Sequence, residues 1–236
     1  MAVGKRVFTK RKLADPEVVK GFVGIPSSNI GDSFERLSCT DPRIKLMSNP
    51  SGVSWSGNAL TIKTRGGDNL LIHYVLENIA KEGDFLIVSN EGCPTRAVIG
   101  QNMACSMEAL KLAGIMIDGP IRDIDAISEM TFPVYATGVC PGGPFKNGPG
   151  EINVSIACGN VMINPGDVIV GDQDGICVVP REDAAAILAE SKAKFEIDQA
   201  GLAKSKAGKN YEQGKWAEAL AKMGYEIIDD YYGSER

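Results

Sequence analysis

Short apolar runs separated by glycine-, proline- and acid-rich turns dominate the chain from residue 59 onward. Residues 59–64 alternate apolar and polar side chains, the pattern of a half-buried strand. Residues 70–80 carry helical spacing and end near Gly83, a residue suited to the left-handed turn after a helix. Residues 85–89 form an apolar strand. Residues 95–112 read as a helix with Ala97, Met103, Met107 and Leu110 turned inward, stopped by Gly114. Residues 115–117 are a second buried strand, 123–130 a short helix and 132–136 a third strand. This β-α-β-α-β order calls for parallel pairing with right-handed crossovers.

The flanks read differently. Residues 1–25 carry weak structure, and 27–36 open a helix with several capping residues. A glycine- and proline-rich loop spans 138–150. Beyond it, residues 152–155, 161–163, 168–170 and 176–179 are short strands separated by turn sequences, expected to close a small antiparallel barrel or second sheet. Residues 181–200 read as a helix capped by Gly201, 204–209 as a polar linker, and 216–228 as a last amphipathic helix with Trp216, Leu220 and Met223 on one face. That face packs either on a neighbouring subunit or on its own domain. The chain divides into an arm (1–25), a main α/β domain (26–200) and a C-terminal helical extension (201–236).

Composition narrows the possibilities. The 236 residues are 44% hydrophobic with a formal net charge of −5. A real core is supported, and a nucleic-acid surface built on bulk positive charge is not. The densest basic stretch, from Lys5 to Lys12, reads as a solvated arm. No apolar stretch approaches the roughly 20 residues of a membrane span. The six cysteines, Cys39, Cys93, Cys105, Cys140, Cys158 and Cys177, form no closely spaced pair. With no signal peptide evident they are expected to be reduced and the protein cytoplasmic, with Cys93, Cys105, Cys158 and Cys177 in or beside buried segments. His73 is the single histidine and reads as a packed or surface residue, which argues against a zinc site built on histidines.

Two loops follow parallel strands, 89–94 and 118–123, and ligands in such sheets collect beyond the carboxyl ends of the strands. Arg122 offers a planar, permanently charged fork for a carboxylate. Asp123 offers a hard oxygen for magnesium or manganese, ions that keep several waters and take one or two protein carboxylates. The adjacent pair reads equally as a cap on a short helix. The turn at Gly100-Gln-Asn102, interrupting the preceding helix, would free backbone N–H groups for a carboxylate or enolate oxygen. Lys111 and Lys146 sit in helix-surface and loop contexts, unlike a Schiff-base lysine.

An ordered series of motifs joins these pieces: Gly100-Gln-Asn-Met103, Gly114-Ile-Met-Ile-Asp-Gly-Pro-Ile-Arg-Asp123, Phe132-Pro-Val-Tyr-Ala-Thr-Gly138, Gly148-Pro-Gly-Glu-Ile-Asn-Val154, Pro165-Gly-Asp-Val-Ile-Val-Gly-Asp-Gln-Asp-Gly175 and Val179-Pro-Arg-Glu182. The series resembles the superfamily of regulator-of-ribonuclease-activity-A-like proteins, and within it the class II pyruvate aldolases acting on 4-hydroxy-4-methyl-2-oxoglutarate and 4-carboxy-4-hydroxy-2-oxoadipate. The resemblance implies a ββα swivelling-domain-like fold, homotrimers or dimers of trimers with active sites between subunits, and a divalent cation, magnesium or manganese. It implies that Arg122 binds the pyruvyl carboxylate, that Asp123 holds the metal, and that the backbone of Gly100, Gln101, Asn102 and Met103 binds the pyruvate moiety. Asp32, in Asn29-Ile-Gly-Asp-Ser33, matches an acid donated by the neighbouring subunit, and Glu196 matches a second.

Gln101 departs from the aldolase pattern, which places an acid there. Glutamine hydrogen-bonds water but cannot act as a base. That shifts the expectation from retro-aldol cleavage toward decarboxylation of an oxaloacetate-like 2-oxo acid, which needs less of the protein. The alternative is a non-catalytic protein that inhibits a ribonuclease by protein contact, as some members of the superfamily do.

Overall fold

A computed structural model describes residues 2–209 and 214–233. Residues 210–213 and 234–236 of the expected C-terminal extension lie outside the described residues. The chain begins with β1 (Lys5–Val7), α1 (Pro16–Gly21), α2 (Ser27–Ser33), β2 (Lys45–Leu46) and β3 (Trp55–Thr64). It continues through α3 (Leu70–Asn78), β4 (Asp84–Ser89), α4 (Gln101–Ala109), β5 (Gly114–Ile117), β6 (Pro120–Ile121), α5 (Ile124–Ile127), β7 (Val134–Ala136) and β8 (Gly138–Val139). β9 (Gly150–Ile152), β10 (Ile156–Cys158), β11 (Val161–Ile163), β12 (Val168–Gly171), β13 (Ile176–Val179), α6 (Ala184–Lys206) and α7 (Lys215–Lys222) complete it.

β3, β4, β5 and β7 pair in parallel in that order, so the expected β-α-β-α-β unit is present as β4-α4-β5-α5-β7. β3 is the hinge of a mixed nine-stranded sheet. One edge carries β4. The other is shared, β12 pairing antiparallel with its first half and β9 with its last three residues. β13 extends the sheet beyond β12, while β10 and β11 form a separate antiparallel pair. The late strands thus divide between the main sheet and a small sheet.

Alternation along the strands builds two cores, because successive side chains point to opposite faces. Leu60, Ile62, Leu86, Val88, Ile115 and Ile117 pack with Ile72 and Val75 of α3, Met107 of α4 and Ile127 of α5. Ala59, Phe85, Ile87, Met116 and Tyr135 point the other way, onto Ile156 and Ile163 of the small sheet. A third cluster joins Val19, Phe22 and Ile30 to Val168, Val170 and Val179.

The amino-terminal stretch is not a solvated arm. β1 pairs in parallel with β9, and Arg11 makes an ion pair with Asp84 in which both side chains are almost wholly buried. Local composition could not reveal this, since the partners lie more than 70 residues away.

Helix boundaries also differ from expectation. Residues 95–100 are irregular rather than helical, because their backbone bonds elsewhere: Ala97 N–H to Gly142 O at 2.8 Å and Val98 N–H to Pro120 O at 3.2 Å. α6 runs through Gly201 to Lys206, since a glycine inside a helix costs only about 1 kcal/mol and strong helix formers surround it. α7 stops at Lys222, ahead of Gly224 in the left-handed region, and leaves Trp216, Leu220 and Met223 exposed. Cys93 is half-buried and Cys105 exposed, contrary to the expectation for both; Cys158 and Cys177 are buried.

A first compact unit ends at Phe195 and a second begins at Glu196. Among the described residues no helix is long and apolar enough to cross a membrane.

Candidate active site

A cleft of about 190 Å³ opens beyond the carboxyl end of β5. It is lined by the head of α4 (Gly100, Asn102, Met103), by the Arg122–Asp123 pair, and by Asn69, His73, Pro144 and Lys146. A larger cavity, about 710 Å³, lies at the amino-terminal end of β4 beside Arg11, Lys20 and Asp84 and holds none of the expected site residues. Position relative to the parallel strands therefore selects the smaller one.

Asp123 takes a left-handed conformation, φ 60° and ψ 42°. Aspartate tolerates this region better than most residues, at a cost on the order of 1–3 kcal/mol. Its side chain does not cap α5. It turns instead to α4, where Oδ2 accepts the Gln101 N–H at 3.0 Å. Asp123 is thus the N-cap residue of α5 through its backbone, while its side chain serves the first N–H of α4 instead. The Arg122 N–H donates to Ile99 O at 3.1 Å, fixing the start of this turn against the irregular segment before α4. The Arg122 Nε stands 3.7 Å from Asp123 Oδ2, and both side chains remain about half-exposed to the cleft.

Gly100 makes this arrangement possible. A Cβ there would lie 2.3 Å from Asp123 Oδ2 and 3.0 Å from Arg122 Nε. At the head of α4 the Gln101 N–H is taken by Asp123 and the Met103 N–H reaches Gly100 O at 3.2 Å. Gln101 takes part through its backbone; its exposed side chain does not line the cleft.

The wall contributed by α3 and the loop after β8 was not anticipated. His73 projects from the first turns of α3, and Lys146 from the loop after β8. The His73 pKa is lowered, first by burial and then by the positive charge of Lys146. The loop is tied down by Asp68, a fully buried carboxylate. Its Oδ2 accepts the N–H groups of Asn147 and Gly148, each at 2.9 Å, and Oδ1 accepts the Leu70 N–H at 2.9 Å. One aspartate thus starts α3 and places the turn carrying Lys146. Asn69 donates from Nδ2 to Val98 O at 2.9 Å, leaving its buried Oδ1 without a partner.

Asp32 is not in this cleft. It sits on α2, exposed, 3.1 Å from Arg36. Glu196 is exposed on α6, in the second unit. Among the described residues no three acidic, histidine or cysteine side chains group as a ready-made metal cage. The donor set, one half-exposed carboxylate beside open space, suits a hard cation that keeps its waters and admits a chelating substrate; it does not suit zinc.

The RraA-like family, described as Aldolase/RraA, matches residues 27–178. A protein of Halalkalibacterium halodurans, provisionally named 4-hydroxy-4-methyl-2-oxoglutarate aldolase, is 35% identical over 187 residues, covering 79% of this chain and 88% of its own. The crystal structure of an uncharacterized protein from Pseudomonas syringae pv. tomato superposes with a TM-score of 0.73 at 21% identity, covering 84% of this chain and 96% of that one. That of Streptomyces coelicolor RraAS2, described as an unusual member of the RNase ES inhibitor RraA protein family, gives 0.71 at 24% identity, covering 80% and 98%.

Proposed function

We propose, from the premise that this chain belongs to the RraA-like family, Aldolase/RraA, that it is a carbon–carbon lyase releasing pyruvate from a 2-oxo acid. The reaction is retro-aldol cleavage of a 4-hydroxy-2-oxo acid or decarboxylation of an oxaloacetate-like one. The observation that carries the reading is that Arg122 and Asp123 lie side by side against Gly100 in a cleft that Lys146 also lines.

In this reading Arg122 receives the pyruvyl carboxylate through its guanidinium fork. The head of α4, with the partial positive charge of a helix amino terminus, is the part of the cleft suited to the charge that develops as the carbon–carbon bond breaks. Lys146 faces the distal carboxylate of a diacid substrate. Asp123 would hold a magnesium or manganese ion, which supplies Lewis acidity at the 2-oxo group. His73, its pKa lowered, is neutral at pH 7 and leaves the positive charge of that wall to Lys146. Gln101 contributes the N–H that aims Asp123 and supplies no base, so any proton transfer falls to another group. Asp32 and Glu196 of a neighbouring copy fill that role in a trimer or a dimer of trimers.

Pyruvate release is measured from oxaloacetate and from 4-hydroxy-4-methyl-2-oxoglutarate, with Mg²⁺ or Mn²⁺ and with EDTA. Turnover that EDTA abolishes supports the lyase. Absence of turnover on both substrates and on related 4-hydroxy-2-oxo acids overturns it and leaves protein-contact inhibition of a ribonuclease as the reading.

A further inference from the structure

Cys39, on the segment after α2, faces Cys177 of β13 as an isolated antiparallel bridge. The flanking backbone bonds run from Thr40 N–H to Ile176 O at 2.9 Å and from Val178 N–H to Ser38 O at 3.0 Å. That pattern marks a non-hydrogen-bonded pair, in which Cα atoms approach to about 4.5 Å and side chains lie closest. A disulfide spans Cα separations of about 4.4–6.8 Å, so the backbone is already set for one. The two Sγ atoms are 3.6 Å apart and share a hydrogen bond. Gly31 makes room for them: a Cβ there would sit 2.8 Å from Cys39 Sγ.

The two thiols differ in setting. Cys39 is exposed, and its hydrogen bond with Cys177 lowers its pKa to about 7, against burial and the carboxylates of Asp32 and Asp172. Cys177 is buried, its Sγ lies 3.2 Å from Ser27 O, and its pKa is pushed up by the bond to Cys39 and by burial. An accessible sulfur that ionises readily beside a buried protonated one is the arrangement of a peroxide-reactive cysteine with its resolving partner.

The geometry points to a redox modification site outside the cleft, in which a hydroperoxide oxidises Cys39 and Cys177 closes the product to an intramolecular disulfide. In the first step the Cys39 thiolate attacks the O–O bond. One oxygen passes to sulfur as a sulfenic acid, and the other leaves as hydroxide or alkoxide and takes up a proton. In the second step the Cys177 sulfur attacks the sulfenic sulfur. The S–S bond forms, and the thiol proton leaves with the sulfenic hydroxyl as water. The thiol pair loses two electrons and the peroxide gains them. The sulfurs close from 3.6 Å to about 2.05 Å between strands already in register. The new bond clamps the segment that follows α2, the helix bearing Asp32, onto the main sheet.

The test is peptide mapping of the full chain after stoichiometric hydrogen peroxide and alkylation, without reductant. The expected product is a Cys39–Cys177 cross-linked peptide within one chain, with two fewer alkylated thiols, reversed by dithiothreitol. Cys39→Ser is expected to abolish the cross-link. In Cys177→Ser the sulfenic acid on Cys39 is expected to persist and to be trapped by dimedone. The mapping of the unmodified sequence decides the matter even if Cys177→Ser does not fold. Both thiols alkylated after treatment, Cys39 oxidised without linkage to Cys177, or disulfides formed only between chains would each overturn the proposal.

Discussion

The Asp123 carboxylate accepts the backbone N–H of Gln101 at 3.0 Å, across a gap that stays open because residue 100 has no side chain. A methyl group on residue 100 would lie 2.3 Å from that carboxylate oxygen and displace Asp123 and Arg122 together. Gly100→Ala is therefore expected to lower kcat/KM for pyruvate release by about 100-fold, the size of a misplacement near 1 Å. The extended φ of −142° at this position suits alanine, so the thermal midpoint should stay close to that of the unmodified chain. Paired steady-state kinetics and melting curves check this; unaltered turnover would show that the contact does not organise the site.

Asp123→Asn keeps an oxygen able to accept the Gln101 N–H but removes the charge. Turnover is expected to fall by more than the roughly 10- to 100-fold that loss of an outer-sphere partner costs a metal site. The titration of activity against Mg²⁺ should move to higher concentration or disappear. Full activity with an unchanged Mg²⁺ profile would remove Asp123 as metal ligand.

Lys146 and His73 line the same cleft, one from the loop that follows β8 and the other from α3. Lys146→Ala is expected to raise KM for a diacid such as oxaloacetate roughly 5-fold, what about 1 kcal/mol of a solvent-screened charge contact gives, with little change in kcat. The same change removes a positive neighbour from His73, whose pKa should rise toward the usual histidine range. An NMR titration of the single histidine reads this directly.

The sign of the His73 effect on stability follows from the same shift. The folded-state pKa is lowered, so between it and the unfolded value the unfolded chain binds more protons, and stability rises with pH. The contribution is complete above the unfolded histidine range, near pH 6.5, and is lost as pH falls through the depressed folded value. His73→Gln should flatten this part of the stability curve in urea titrations below pH 6.5. A curve that keeps its slope there would assign it to carboxylates instead.

The parallel unit was legible because its strands are buried on both faces and read as unbroken apolar runs, as in Phe85 to Val88 and Ile115 to Ile117. Residues 95–100 misled because Ala97 is a buried apolar residue that joins Met103, Met107 and Leu110 in one apparent helical pattern. What keeps the segment out of the helix is its bonding to Gly142 and Pro120, contacts that no local window contains. The site was half legible for the same reason. Gly100, Arg122 and Asp123 lie in contiguous motifs, whereas Lys146 reaches the cleft only because the buried Asp68 carboxylate gathers the amides of Asn147 and Gly148. A buried acid just before an apolar helix, followed far downstream by a glycine-rich loop, was the one available signal for that link.

Arg11 and Asp84 provide a test of the amino-terminal stretch as part of the fold. Their side chains are 7% and 6% exposed, and Asp84 Oδ2 also accepts the Lys81 N–H at 2.8 Å. Removing one member of a buried pair strands the other charge, at a cost of about 3–5 kcal/mol. Arg11→Ala is expected to lower the free energy of unfolding by that amount in urea titrations. Arg11→Met combined with Asp84→Asn leaves no unpaired charge and keeps the acceptor for Lys81, so it should recover most of the loss. If Arg11→Ala instead costs less than about 1 kcal/mol, as an exposed pair would, the first residues do not pack as the fold requires.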